Sequence, residues 1–213
     1  MNPEGVNTPA AQPSWSARVN SDRAAEGPLE RDAELMLRVR DGDQASFGLL
    51  LERHRSPVIH FVYRMVQNQA VAEELAQEAF LRVYKSRLSY EPTAKFTTWL
   101  FRIASHLALN WIRDGRNEKR QASLDESPDG TARQVPDRGR TAEQELVYQA
   151  KLREVRQAIE ALPSKQKAAV MMHKYEEMGY AQIADVLSCS ESAVKSLLFR
   201  AYESLRVRLA QLA

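Results

Sequence analysis

The 213-residue chain has a single cysteine, Cys189, and it has no apolar run near the roughly 20 residues that a membrane-spanning helix needs. One cysteine excludes an internal disulfide and is typical of a protein in a reducing compartment. The N-terminal residues are polar and contain prolines, without the apolar segment of a secretory signal. These absences predict a cytoplasmic protein without direct membrane insertion.

The sequence also lacks the common signatures of catalytic and metal sites. It contains neither a GxxxxGK[ST] phosphate-binding loop nor an HExxH zinc motif. Its four histidines have neither close spacing nor cysteine partners for zinc. We therefore predict that the protein is not an enzyme and that it has no catalytic residue, no metal site and no cofactor.

An excess of charge of one sign is missing as well, because 30 Lys and Arg face 28 Asp and Glu, a net charge of +2. Taken alone, this value gives little reason to expect a polyanionic partner. The charge is unevenly distributed, however. Residues 31–120 carry +4 and residues 151–213 carry +3, whereas residues 1–30 carry −2 and residues 121–150 carry −3. Two basic blocks are therefore separated by an acidic stretch.

Strand-like alternation is absent, and both basic blocks show helical periodicity. Apolar residues recur at three- and four-residue steps from Phe47 to Met65, from Ala72 to Val83, from Leu100 to Trp111 and from Leu146 to Leu162. The pattern predicts an all-α protein. Pro57 lies inside the first stripe, which leaves one bent helix or two short helices open.

Two segments have too few apolar residues to offset the entropy of ordering them. Residues 1–30 are predicted to form a disordered tail, and residues 121–142 a flexible linker that contains Pro128, Gly130, Pro136 and Gly139. The chain is thus predicted to consist of two small helical domains on either side of a linker. A short helix over residues 165–173 is expected in the second domain, with Ser164 as its N-cap.

The segment from Tyr180 to Leu209 predicts a helix-turn-helix. Two helical turns end at Leu187, residues 188–190 allow only a tight turn, and Ser190 is a suitable N-cap for a second helix. Ala184 provides the small residue needed where the two helices cross. Ser188 stands where glycine is usual, and Cys189 is expected to be a small buried apolar plug.

The outer side of the second helix carries side chains suited to contacts with base edges and phosphates. The residues predicted to bind DNA here are Ser190, Glu191, Ser192, Lys195, Ser196, Phe199 and Arg200. The alternative is a helical hairpin with a solvated polar face.

The first block contains an acidic helical face and a segment in which aromatic and basic residues alternate. Glu73, Glu74, Gln77 and Glu78 form the acidic face, which is also consistent with a simple solvated surface. Downstream, aromatic side chains suited to stacking on unpaired bases alternate with basic ones suited to phosphates. Alternatively, several of these aromatic residues belong to the core, with Phe101 or Trp111 as candidates. Tyr90, Phe96 and Trp99 lie in or beside the loop, where an exposed ring is more informative.

Four segments of the chain, taken together, resemble bacterial RNA polymerase sigma factors of the extracytoplasmic-function group, within the sigma-70 family. The segments are DGDQASFGLLLERHR, AEELAQEAFLRVYK, FTTWLFRIASHLALNWIRD and LPSKQKAAVMMHKYEEMGYAQIADVLSCSESAVKSLLFRA. The resemblance covers about residues 32–120 and 143–209. It implies that residues 31–120 form sigma region 2 and residues 143–213 form sigma region 4.

The resemblance implies a function and a set of partners. A sigma factor binds core RNA polymerase, recognises the minus-thirty-five and minus-ten promoter elements and promotes strand opening. The implied partners are the β′ clamp helices and β flap of core polymerase, promoter DNA and an anti-sigma factor. The competing hypothesis is a stand-alone helix-turn-helix repressor or activator, which accounts for residues 180–209 but not for the acidic helix or the aromatic loop.

The resemblance also implies roles for individual residues of the first block. The face that binds core polymerase is expected to contain Glu74, Gln77, Glu78 and Leu81. Recognition and melting of the minus-ten element are expected to involve Tyr90, Thr93, Lys95, Phe96, Trp99, Arg102, Asn110, Arg113 and Arg116. Among these, Asn110, Arg113 and Arg116 are expected to contact duplex DNA upstream. Region 4 is expected to bind the minus-thirty-five element through α-helical contacts in the major groove.

Overall fold

A computed structural model describes the backbone of residues 28–121 and 142–210 and the side chains of residues 31–115 and 144–210. Within these ranges every regular element is helical, which confirms the all-α prediction. Most of the predicted tail and linker lies outside the described residues. Residues 28–30 already belong to the first helix, so the predicted tail extends slightly too far.

Four helices form the first half of the structure: α1 (Pro28–Arg40), α2 (Gln44–Val66), α3 (Gln69–Lys85) and α4 (Phe96–Gln121). A short 3-10 turn, Arg87–Ser89, precedes the loop that leads into α4. Helix α2 packs against α1, α3 and α4, so it lies at the centre of this half. Its buried side chains include Leu50, Val58 and Phe61.

Helix α1 is a finding of the structure, because the periodicity analysis did not identify it. Met36 and Val39 are 0% and 1% exposed, and both belong to the hydrophobic core. The helix is short, so its apolar stripe offers few repeats. Its stability therefore depends on packing against α2 and α4.

Helix α2 runs through Pro57 as a single helix of 23 residues. Of the alternatives left open by the sequence, two separate helices are excluded. Asp43 caps the helix by accepting hydrogen bonds from the backbone N–H groups of Ala45 and Ser46, at 2.9 and 3.2 Å. Gln67 ends it in a left-handed conformation.

The second half consists of α5 (Ala142–Glu160), α6 (Ser164–Tyr175), α7 (Tyr180–Leu187) and α8 (Glu191–Leu209). Helices α6 and α7 pack on α8, with Ile183 and Val194 both 0% exposed. The predicted N-cap at Ser164 is wrong. Pro163 is the cap residue and uses no side-chain bond, while its carbonyl accepts the Lys167 N–H at 2.9 Å and so begins the helical ladder.

The two halves pack against each other, which the sequence did not indicate. Helix α4 contacts α7, and both α2 and α4 contact α6. Lys167 of α6 is 5% exposed and donates its Nζ to the carbonyl oxygen of Met65 at 3.1 Å. A lysine at the carboxyl end of α2 is favourable because that end of the helix carries partial negative charge.

A second polar contact lies at the same boundary. The Arg64 guanidinium lies over the Tyr175 ring, 4.0 Å from its centroid, and 3.7 Å from the Glu176 carboxylate. Burial raises the pKa of Glu176 above its ordinary value, and the nearby Arg64 opposes that change. The boundary between the halves thus contains partly buried charges as well as apolar packing.

Candidate nucleic-acid interface

The predicted helix-turn-helix is present as α7, a three-residue turn and α8. Ser188 adopts a left-handed conformation, with φ 52° and ψ 54°, at the position where glycine is usual. The turn closes through a 3.0 Å hydrogen bond from the Cys189 N–H to the Ala184 carbonyl. The Ser190 hydroxyl accepts the Ala193 N–H at 3.2 Å, which confirms Ser190 as the N-cap. Cys189 is only partly buried, so the expected plug is incomplete.

The outer side of α8 is exposed over its full length. All seven residues predicted to bind DNA on this segment are exposed: Ser190, Glu191, Ser192, Lys195, Ser196, Phe199 and Arg200. Phe199 is 67% exposed, so this face presents a large apolar ring to solvent. This row of side chains has the width of one helix, and a helix of that size fits the major groove of B-form DNA.

Part of this face is organised by local contacts. The Ser196 hydroxyl donates to the Ser192 carbonyl at 3.0 Å, and the hydroxyls of Ser190 and Ser192 lie 2.9 Å apart. The Lys195 ammonium lies 5.9 Å from the centroid of the Tyr180 ring, at the start of α7. Tyr180 therefore borders the predicted DNA-binding face, although the sequence analysis did not include it.

The acidic face of α3 is exposed as predicted. Glu74 and Gln77 are exposed, Leu81 is 46% exposed and Glu78 is half-buried. Glu78 pairs with Arg82 at 2.7 Å, and this hydrogen bond lowers the pKa of Glu78. The face thus combines negative charge with an exposed leucine.

An apolar groove of about 550 Å³ lies beside this face, between α2 and α3. Phe47 and Leu51 of α2 line one side, and Phe80, Leu81 and Tyr84 of α3 line the other. The Phe47 and Tyr84 rings pack at a centroid distance of 5.0 Å. Sequence analysis placed Phe47 on a core-facing stripe and missed the groove, because only the packing of α2 on α3 brings these side chains together.

Residues 86–95 connect α3 to α4 and are called the 86–95 loop below. The aromatic residues in and beside this loop are largely buried. Tyr90 is 3% exposed and Phe96 is 1% exposed, whereas Trp99 is half-buried. The centroid distances are 4.9 Å for Tyr90–Trp99 and 6.1 Å for Phe96–Trp99. Tyr90 and Phe96 therefore belong to the core, one of the alternatives that the sequence left open. Both rings remove apolar surface from water by packing on the helices beneath the loop.

The polar members of the predicted minus-ten set remain accessible. Thr93, Lys95 and Arg102 are exposed, as are Asn110 and Arg113 further along α4. Arg113 donates to the neighbouring Asp114 at 3.1 Å. The side chain of Arg116 lies outside the described residues. Of the two candidate core residues on α4, Phe101 is buried at 2% exposure and Trp111 is 40% exposed.

A polar pocket of about 460 Å³ lies between the loop, α4 and α7. Tyr90 and Thr93 line it from the loop, Trp99 and Arg102 line it from α4, and Asp185 lines it from α7. The helix-turn-helix reaches this pocket through two long hydrogen bonds of 3.5 Å, from Gln182 to the Thr98 hydroxyl and from Arg102 to the Ser188 hydroxyl. The two predicted DNA-binding regions therefore meet in the folded chain.

The described residues, 28–121 and 142–210, contain neither a metal-binding cluster nor a membrane-spanning helix. No group of three or more His, Cys, Asp or Glu residues there is arranged to hold a metal ion. Among those same residues, no helix combines the length and apolar character needed to cross a bilayer.

Comparisons with known proteins match both helical halves of the chain to one family. The family described as Sigma-70 region 2 matches residues 50–118, and Sigma-70, region 4 matches residues 152–205. The extracytoplasmic-function RNA polymerase sigma factor SigW of Bacillus subtilis is 31% identical over 179 residues, which cover 82% of this chain and 94% of SigW.

Two solved structures share the fold. CnrH, solved in complex with the cytosolic domain of CnrY, has a TM-score of 0.64 at 19% identity and covers 86% of this chain and 99% of its own. The sigma factor RpoE of Bartonella quintana, solved with the anti-sigma factor NepR, has a TM-score of 0.60 at 20% identity, over 77% of this chain and 96% of its own.

The matched regions follow the two helical halves, with region 4 containing the helix-turn-helix. The chain belongs to the sigma-70 family of RNA polymerase sigma factors, in the extracytoplasmic-function group. Its function is that of an RNA polymerase sigma factor, and the comparisons do not favour a stand-alone DNA-binding regulator.

Proposed function

We propose that three separate surfaces of this chain carry out promoter-specific initiation: one binds core polymerase, one captures the opened minus-ten strand and one recognises the minus-thirty-five element. The observation that carries the proposal is the coexistence of the exposed α8 face and the polar pocket beside α4. A stand-alone regulator needs only the first of these. We assign the protein no covalent chemistry, and we expect it to act in the cytoplasm, where core polymerase transcribes the chromosome.

The core-binding surface is proposed to be the α3 face together with the adjoining groove. Glu74, Gln77 and Glu78 offer acidic and amide groups, and Leu81 extends from them into apolar surface. A partner that fits this surface is a helix or coiled coil with basic and apolar side chains, such as the β′ clamp helices. The open groove gives such a helix a place to bury its apolar residues.

The minus-ten surface is proposed to centre on the pocket lined by Trp99. Trp99 retains an accessible ring on which an unpaired base can stack, while Thr93, Lys95 and Arg102 are exposed nearby for polar and phosphate contacts. Tyr90 and Phe96 are proposed to support Trp99 from beneath. Asn110, Arg113 and Arg116 follow along α4 and are proposed to contact duplex DNA upstream.

The minus-thirty-five surface is proposed to be the outer side of α8. Lys195 and Arg200 carry its positive charge, and the serines near its N-terminus can donate to phosphate oxygens. Region 4 is also proposed to bind the β flap of core polymerase. Because RpoE of Bartonella quintana was solved with an anti-sigma factor, we further propose that an anti-sigma factor binds this chain.

The contact between the two halves has a consequence for promoter binding. The minus-ten and minus-thirty-five elements lie about 25 base pairs apart, which is roughly 85 Å along B-form DNA. In the folded chain, however, the turn before α8 lies within 3.5 Å of Arg102. We therefore propose that α7 leaves the pocket and that the halves separate before both elements are bound.

Reconstituted transcription tests the proposed function. The protein is combined with core polymerase and fragmented genomic DNA, and transcript start sites are mapped. We expect defined start sites that share two upstream elements and that are absent with core polymerase alone. If the purified protein binds duplex DNA tightly by itself but supports no initiation, the proposal is wrong and the stand-alone regulator is favoured.

A further inference from the structure

A buried carboxylate lies within hydrogen-bond distance of a histidine, next to the aromatic residues in and beside the 86–95 loop. Asp32 of α1 is 2% exposed, and its Oδ2 atom lies 2.8 Å from Nε2 of His54 in α2. Its other carboxylate oxygen pairs with the Arg53 guanidinium. A buried carboxylate is unfavourable unless it is paired, so these contacts fix the position of α1 against α2.

The imidazole of His54 also contacts the aromatic cluster, which consists of Tyr90, Phe96 and Trp99. His54 is 8% exposed, and its ring centroid lies 5.4 Å from that of Phe96, the first residue of α4. Phe96 in turn contacts Trp99 at 6.1 Å and Tyr90 at 6.5 Å. A continuous series of contacts therefore leads from Asp32 to the indole ring of Trp99.

Tyr90 approaches the same carboxylate from the loop. Its hydroxyl is buried and has no hydrogen-bond partner among the described residues. Burial raises the pKa of Tyr90, and the charge of Asp32 adds to this effect, so the phenol stays protonated near the carboxylate. Because this hydroxyl has no hydrogen-bond partner among the described residues, ring packing on Phe96 and Trp99 holds Tyr90 in place.

We propose that the Asp32–His54 pair positions the aromatic cluster, and thereby the wall of the pocket that receives the opened strand. Neither residue lines that pocket, so both are positioning residues that act through Phe96, Tyr90 and Trp99. This inference rests on the proposed function for its consequence in strand capture. Its geometric part, the placement of Trp99, can be measured without any promoter.

The first experiment measures acrylamide quenching of Trp99 fluorescence in the full chain, with Trp15→Phe and Trp111→Phe leaving one tryptophan. Asp32→Asn removes the carboxylate charge with little change of shape. We expect acrylamide quenching to rise, because the Trp99 indole is then packed less firmly and is more accessible to the quencher. Asp43→Ala is the matched control. It removes the N-cap of α2, the helix that carries His54, without touching the aromatic cluster. We expect its quenching to stay at the value of the parent.

The second experiment measures binding of the reconstituted holoenzyme to a single-stranded oligonucleotide with the minus-ten sequence of a promoter mapped as above. We expect Asp32→Asn to weaken binding about fivefold or more, since part of the stacking on Trp99 is lost. Affinity for core polymerase should match that of the Asp43→Ala control. If both readouts for Asp32→Asn equal those of the control, the positioning role is wrong.

The two proposals fail in distinguishable ways. If the wild-type holoenzyme neither initiates nor prefers the minus-ten strand, the proposed function fails, while the quenching result still decides whether Asp32 places Trp99. If Asp32→Asn does not fold, His54→Gln serves instead, because it keeps a donor for Asp32 but lacks the ring beneath Phe96. Unchanged quenching and strand binding in His54→Gln would likewise overturn the inference.

Discussion

The two predicted DNA-binding regions of this sigma factor are built in opposite ways. On α8, all the predicted contact residues point outward, and the adjoining turn is held by hydrogen bonds between neighbours in sequence. At the 86–95 loop, two of the three predicted aromatics are buried, and the pocket is formed by side chains from the loop, α4 and α7. The predicted surface for duplex DNA is therefore one exposed helix, whereas the predicted site for an unpaired strand is a pocket lined by several elements.

The largest expected effect on promoter binding comes from the polar pocket beside α4, where the proposed stacking depends on one ring, that of Trp99. We predict that Trp99→Ala lowers the equilibrium constant for open-complex formation about 30-fold, or about 2 kcal/mol, because an unpaired base loses its stacking partner. Binding to core polymerase should stay near the wild-type value. The measurement is potassium permanganate reactivity of the minus-ten thymines on a duplex promoter. Unchanged reactivity would remove Trp99 from strand capture.

A somewhat smaller effect is expected on α8, where several side chains share the contact. We predict that Arg200→Ala weakens binding to the minus-thirty-five element by about 1.5 kcal/mol if its guanidinium contacts a base edge. The measurement is holoenzyme affinity for promoters with and without that element. Equal losses on both promoters would show instead that Arg200 contacts phosphate.

Comparison of these two variants tests whether the regions act at different steps. On a promoter whose minus-ten strands are already unpaired by mismatches, Trp99→Ala should still weaken binding. Arg200→Ala should lose its effect once the minus-thirty-five element is deleted. If both variants respond alike to both templates, the division of labour between the pocket and α8 is wrong.

The turn before α8 gives a prediction for stability. Ser188 holds a left-handed conformation that glycine adopts more easily, so Ser188→Gly should raise the free energy of unfolding by about 1 kcal/mol. Urea denaturation measures the change. Ser190→Ala, which removes the N-cap hydroxyl, should lower stability by a similar amount, about 1 kcal/mol. A loss of stability in Ser188→Gly would mean that its contact with Arg102 outweighs the backbone strain.

The smallest effect is expected at the boundary between the halves. The raised pKa of Glu176 means that the folded state favours the protonated acid, so this stabilisation is complete below the ordinary glutamate pKa and is lost as pH rises through the raised value. Glu176→Gln should therefore flatten the pH dependence of unfolding in that range. The change at neutral pH should stay below about 1 kcal/mol, since Arg64 offsets part of it.

Features that depend on contacts between residues close in sequence could be predicted, whereas features that depend on contacts between distant residues could not. The helix-turn-helix was predictable because Ala184, Ser188 and Ser190 act on neighbours within a few residues. The acidic face of α3 was predictable because helical periodicity alone decides which residues share a side. Long-range contacts were not predictable: Asp32 and His54 are 22 residues apart, and Lys167 lies 102 residues from Met65.

The small net charge also gained a physical explanation. Acidic residues do not simply cancel the basic blocks. Asp185 and Arg102 line the same pocket, and Glu78 pairs with Arg82 on the face proposed to bind core polymerase. With a net charge of only +2, we expect the chain to have little affinity for random DNA, because nonspecific binding depends on neutralising phosphates. Under the proposed function, recognition of a promoter then depends on core polymerase holding both surfaces at the required separation.

The sequence by itself determined the all-α architecture and the helix-turn-helix, because periodicity, capping and turn geometry are local properties of the chain. It indicated the family through a resemblance carried by four sequence segments. The tertiary structure alone decided that Tyr90 and Phe96 are buried, that α1 supplies a carboxylate beneath them and that α7 lies against the pocket. The physical reason is that burial of an aromatic ring stabilises the folded state, but the site that buries it is formed by helices that are distant in sequence.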